Sequence, residues 1–256
     1  MNPLYPTNRI ALIFELSYLT AVVIAVAAFA AALMGGVAGI GTAIVMIPLL
    51  TFAVGIREAI PIITVAMLFN NASRWIANRH YVNYKVVFWF WLGAIPGSVL
   101  GATAFANLPA NLLADGLGIF LLALVVFRHL PFGSGQGMRL RLFTIVGAIQ
   151  GLLSSLFGGA GPFGAHFFLS YGLLRNAFIG TGAAAGSAII VAASATYTSF
   201  SLLDENAIAI AVMVGSIMVV GAYIGGMIVK HVPDRAFAYI VETIMVVAGV
   251  TLIFGG

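Results

Sequence analysis

Two short runs in this sequence have the residue types of an anion site: Gly39-Ile40-Gly41-Thr42 and, 120 positions later, Gly159-Ala160-Gly161-Pro162. Each set of glycines precedes an apolar stretch that reads as a short helix. A glycine turn lets the backbone come close to a ligand. The helix that follows offers amide hydrogens without partners and the positive end of its dipole. Together these hold a small oxyanion without a buried lysine. The cost of the arrangement is visible between Gly35 and Leu50, where four glycines and Pro48 interrupt an apolar segment. In a helix each glycine costs about 1 kcal/mol relative to alanine, and an interior proline about 3 kcal/mol. The alternative use for such glycines is close helix crossing. Their recurrence before two short helices favours a site.

Other polar residues stand in apolar surroundings. Asn70 and Asn71 fall midway along one helical stretch, and Arg74 lies one turn beyond Asn70 on the same face. Amides and a guanidinium donate well to oxyanion oxygens; the other reading is cross-helix bonding by the amides and a snorkelling Arg74. Arg57 and Arg175 each follow a glycine-broken piece, as entrance cations or as interfacial anchors. Glu242 lies within the last apolar run, and an intramembrane carboxylate is a candidate for carrying a coupled proton. Asp115 suits a helix start, and His166 is a lone histidine in an apolar run. Gln150 and Ser155 are polar residues whose partners the sequence does not give. No nucleophile, base or metal-ligand set converges, so the pattern predicts no catalytic residue, metal or cofactor.

The elements that carry these residues follow from composition. Of 256 residues, 62% are hydrophobic and 7% charged, whereas a soluble domain carries about 25% charged residues. Apolar runs long enough for a bilayer core of about 30 Å recur along the chain. The expected class is an all-α polytopic membrane protein surrounded by lipid. The first apolar run lacks a small-residue cleavage site and reads as retained. Cysteine is absent, which excludes thiol chemistry and disulfides. The net charge of +4 sits in short loops and does not form a nucleic-acid-binding stripe. Ten helical pieces are predicted, over 16–34, 41–54, 57–78, 85–106, 109–128, 140–157, 162–173, 175–200, 205–229 and 234–254.

The halves resemble each other. Besides the paired turns, Gly97, Gly101 and Pro109 return as Gly221, Gly225 and Pro233, a constant shift of 124. This divides the chain into a first repeat over 1–131, a linker over 132–138 and a second repeat over 139–256. If all ten pieces reverse direction, one side receives Arg74, Arg79, Lys85, Arg128, Arg139, Arg141, Arg175, Lys230 and Arg235, and the other only Arg9 and Arg57. Basic residues favour the inner side, so both termini are expected outside. Five reversals per half make the repeat inverted, a common plan among secondary transporters. The pieces at 41–54 and 162–173 are too short to span, and read as re-entrant hairpins turning near the midplane.

The run Gly39-Ile40-Gly41-Thr42-Ala43-Ile44-Val45-Met46-Ile47-Pro48-Leu49-Leu50 resembles the glycine-rich signature of the sulfite exporter TauE/SafE family, and Gly151-Leu152-Leu153-Ser154-Ser155-Leu156-Phe157-Gly158-Gly159-Ala160-Gly161-Pro162 resembles its second copy. Asn83 sits where the family often has a polar turn. Thr42 and Ala43 stand for later glycines of the first signature, Pro162 and Phe163 do so in the second, and Phe168 replaces a proline there. The resemblance implies an inner-membrane carrier, multi-pass, exporting a small sulfur-containing anion such as sulfite or an organosulfonate. By position it assigns substrate to Gly39–Thr42 and Gly159–Pro162. A passive anion or small-solute channel would use the same inverted hairpins and remains the alternative. A homo-oligomer is compatible with the sequence, which does not specify one.

Overall fold

The computed structural model describes residues 25–26, 28–29, 32, 42–129, 138–228 and 234–254. Gly39, Ile40 and Gly41 lie outside the described residues, as do the linker over 132–137 and most of the piece expected at 16–34. After helical residues between Ala25 and Ala32, nine helices follow among the described residues: α1 (Thr42–Val54), α2 (Ile56–Ala77), α3 (Tyr84–Asn107), α4 (Ala110–His129), α5 (Leu142–Phe157), α6 (Gly161–Ser170), α7 (Arg175–Ser199), α8 (Glu205–Ile228) and α9 (Asp234–Phe254). A single 3₁₀ turn at Arg79–Tyr81 precedes α3.

Local chemistry sets the helix limits. Gly55, at φ +84°, separates α1 from α2 in a backbone region that side chains disfavour. The Asn83 side chain starts α3 by accepting from Val86 N at 3.3 Å, and Asp204 Oδ1 accepts from Ala207 N at 2.7 Å to start α8. Such caps satisfy amide hydrogens that have no partner within the helix. Arg57 closes the other end of α3, donating to Ala106 O at 3.5 Å and to Leu108 O.

Among the described residues four segments, Tyr84–Asn107, Ala110–Phe127, Arg175–Ser199 and Glu205–Ile224, are long and apolar enough to cross a bilayer. The helices α1 and α6, with 13 and 10 residues, are about 20 and 15 Å long, shorter than the apolar thickness. Large apolar side chains such as Leu100, Ile119, Val126 and Tyr223 are exposed on the outer surface. In a membrane they face acyl chains, where exposure carries no hydrophobic penalty.

Packing falls into two apolar clusters. One gathers α1, α2, α4, α8 and α9 with the distal ends of α3 and α7; the other joins α3, α5, α6 and α7 around Phe90, Phe143 and Phe168. The closest pairing is α3 against α5. A Cβ added at Gly93, Gly97 or Gly101 would fall 1.8, 2.2 or 2.4 Å from the carbonyl oxygens of Thr144, Ala148 and Leu152; one at Gly147 or Gly151 would fall 2.2 or 2.5 Å from those of Phe90 and Ala94. The two backbones therefore touch along their length, as small residues allow. Gly221 on α8 is pressed in the same way against Phe29 O and the Ala32 methyl. Around this core α2 packs on α8 and α7, α3 on α7, and α4 on α9.

Candidate functional site

The site begins at the end of α5. Gly158 takes the left-handed conformation, φ +82°, as its cap, with its amide on Ser154 O at 2.8 Å. Glycine adopts that conformation without steric cost. Ser154 Oγ then accepts from Ala160 N at 3.0 Å, so one serine turns the chain through Gly158–Ala160. The helix α6 starts at once with Gly161 and Pro162. Proline suits this position because its missing amide hydrogen would have had no partner there.

This turn opens on a cavity of about 140 Å³. A water centre needs about 10–15 Å³ on this measure, so there is room for a small anion and some of its hydration. The cavity lies between the start of α1 (Thr42, Ala43), the inner face of α2 (Thr64, Met67, Asn71, Arg74), the α5–α6 turn (Gln150, Ser154, Ser155, Gly158–Pro162) and α7 (Phe178, Gly182, Gly186, Ile190). The first described turn of α1 and the start of α6 thus meet one space, and α6 turns the positive end of its dipole toward it. Arg74 is the sole ionisable side chain in the lining among the described residues. Its guanidinium brings a positive charge to this wall.

The walls are partly held by glycine. A Cβ at Gly161 or Gly182 would meet nothing within 4 Å, so both leave open space. A Cβ at Gly186 would lie 2.8 Å from the Asn71 amide nitrogen, and one at Gly164 would fall 1.8 Å from Gln150 Oε1. Beyond Ser155 the space is closed by Tyr197, which is fully buried, donates to Ser155 O and packs edge-on against Phe105. Thr64 Oγ1 donates to Ile60 O at 2.7 Å on the same floor.

Of the residues singled out in the sequence, Thr42, Gly159, Ala160, Gly161, Pro162 and Arg74 come together around this cavity. Asn70 is fully buried outside the lining, its amide nitrogen 4.0 Å from Met67 Sδ, while its neighbour Asn71 faces the cavity. Arg57 is at the α3 terminus, and Arg175 is exposed at the first residue of α7. Glu242 is on the α4–α9 contact, Oε1 3.4 Å from His129 Nε2, and does not line the cavity. His166 reaches back to Pro162 O at 3.2 Å and packs against Phe127. Thr64, Ser154, Gly182 and Gly186 line the cavity without having been singled out; the spacing of four between the two glycines was the available sign.

A set of neutral donors, the start of α6 and one guanidinium can bind an anion and release it. Among the described residues no group of three histidines or carboxylates is placed to hold a metal. In comparisons with known proteins, the family model described as sulfite exporter TauE/SafE matches residues 24–252. Neither the curated proteins nor the solved structures give a match. The family's members are membrane transporters, and the apolar helices agree with a multi-pass membrane protein. The match covers nearly the whole chain, and the protein belongs to the sulfite exporter TauE/SafE family.

Proposed function

We propose that the protein carries a small sulfur-containing oxyanion, such as sulfite or an organosulfonate, out of the cell across the inner membrane. Substrate binds at the glycine turn Gly159–Pro162 and at Thr42, with Gly39–Gly41 completing the first turn, Arg74 supplying charge, and Asn70 reaching the site in another state of the cycle. The observation that carries this reading is the meeting of the α6 helix start with Thr42 of α1 at a cavity whose sole ionisable lining residue among those described is Arg74. Transport is by alternating access. The packing supports the repeat: if α1–α4 correspond to α6–α9, then α2 on α8 corresponds to α7 on α3, and α2–α7 and α4–α9 are self-corresponding pairs; its inversion rests on the five reversals in each half. The shortness of α1 and α6 supports re-entrant hairpins.

Purified protein in proteoliposomes, screened with sulfite, sulfate, thiosulfate and small sulfonates, tests the function. Saturable flux with counterflow is the expected result. Flux that rises without saturation and shows no counterflow assigns a channel.

Two further outcomes are expected. The basic residues place the Arg139–Arg141 loop inside, so a cysteine at Ser134, in a chain without native cysteine, resists an impermeant thiol reagent in intact cells. Strong labelling reverses the orientation. For coupling we assign Glu242 on α9, with His129 of α4 as its protonatable neighbour; Asp115 is the carboxylate on α4. Glu242→Gln then removes the response of net transport to an imposed pH gradient and keeps substrate exchange. A variant that still responds makes Glu242 a helix-packing residue. Arg57 and Arg175 are assigned to the two entrances.

A further inference from the structure

Three side-chain oxygens at the cavity share an unusual condition. Thr42 Oγ1, Gln150 Oε1 and Ser155 Oγ are buried without a hydrogen-bond partner, and their residues are all more than nine-tenths buried. Thr51, Asn70 and Ser194 also hold such oxygens but do not line the cavity. Buried polar groups are ordinarily paired, because leaving one unpaired is costly. Three of them from α1 and α5, converging on one space, point to a ligand that completes them.

Gln150 is the most informative. Its amide lies where a Cβ on Gly164 would be, with Oε1, Cδ and Nε2 at 1.8, 2.7 and 3.1 Å from that position. The absence of a side chain on α6 is what admits the amide. We propose that Gln150 is a further substrate-contacting residue of this cavity, and that Gly164 is the notch that fixes its amide there. A carboxamide has two N–H donors as well as an acceptor. Turned toward the cavity, Nε2 donates to an anion oxygen and adds a neutral donor beside Arg74. The inference rests on the cavity being the anion site.

Sulfite binding to the purified full-length protein in lipid nanodiscs, measured by calorimetry, tests it. Gln150→Ala weakens binding about tenfold or more, the scale of a lost hydrogen bond to a charged group. Gln150→Leu, which keeps the bulk, shows the same loss, and Gln150→Glu removes binding at neutral pH. Gly164→Ala expels the amide and reproduces the loss seen with Gln150→Ala. The double variant Q150A/G164A binds no more weakly than Q150A, because the side chain that collided is gone. The marker of the mechanism is this non-additivity, which independent sites do not show. Q150A or Q150L binding within twofold of wild type overturns the assignment of Gln150. Losses that multiply in the double variant overturn the role of Gly164. If wild type binds none of sulfite, sulfate, thiosulfate and methanesulfonate, the anion site itself falls, and this inference with it.

Discussion

Gly161→Val is expected to lower sulfite affinity at least about a hundredfold while the protein still folds and inserts. A Cβ at Gly161 has nothing within 4 Å, so the valine finds room, and that room is the cavity beside the first turn of α6. The branched side chain blocks approach to the backbone donors of the turn. Losing two such bonds, at about 1.5 kcal/mol or more each, is a loss of about 3 kcal/mol, or more than a hundredfold in the dissociation constant. The helix cost of valine is under about 1 kcal/mol, so thermal stability in lipid changes little. Gly161→Ala, with one methyl, falls between. Normal binding by Gly161→Val removes this turn from the site. The corresponding Gly41→Val has the same expected effect from the first turn, on the sequence correspondence.

The largest loss of stability is expected at the α3–α5 contact. Alanine at Gly93 or Gly97 brings a methyl to 1.8 Å from Thr144 O or 2.2 Å from Ala148 O. These obstacles are backbone atoms of a packed helix, which cannot step aside as a flexible side chain does. Overpacking typically costs about 1–3 kcal/mol, and a backbone obstacle puts each substitution at about 3 kcal/mol or more. The pair G93A/G97A prevents recovery of folded protein, measured as the monodisperse fraction surviving a heat step. Gly116→Ala is the contrast, since a Cβ there meets only the Phe157 ring at 3.1 Å; its cost is about 1 kcal/mol. Equal losses at Gly97 and Gly116 would mean that the close approach of α3 and α5 is not what holds the bundle.

Much of the helical layout was legible because apolar runs and turn formers alternate strongly in a membrane protein. The last piece, expected over 234–254, is α9 at Asp234–Phe254. The piece expected over 162–173 ends at Ser170, since Gly172 at φ +93° turns the chain; Leu173 and Leu174 had disguised the stop as a continuing apolar run. At the site, the glycine turn over 159–162 was readable because a turn before a helix is a local event. Choosing between Asn70 and Asn71 was not. One residue rotates a helix by about 100°, and α2 buries both asparagines, so apolar periodicity could not say which faced inward. The α7 wall with Gly182 and Gly186 exists only through tertiary contact with α2, which no local pattern encodes. Gln150 looked like an isolated polar residue because its notch is Gly164, on another helix.

The bare contact between α3 and α5 also has a mechanical consequence. Most helices that slide in a working protein do so by letting interposed side chains switch rotamer, each switch acting as a small bearing. Along Gly93, Gly97 and Gly101 there is little to switch, since carbonyl oxygens of α5 sit directly in the troughs of α3. Moving one helix along the other would drive oxygen over Cα like a tooth over a ratchet. The two helices therefore travel as one strut, and Trp91 Nε1 on Ala184 O at 3.1 Å, with Asn83 N on Thr181 Oγ1 at 2.9 Å, fastens α7 to the same strut. The strut thus holds Gln150, Ser155 and the α7 wall in fixed relation.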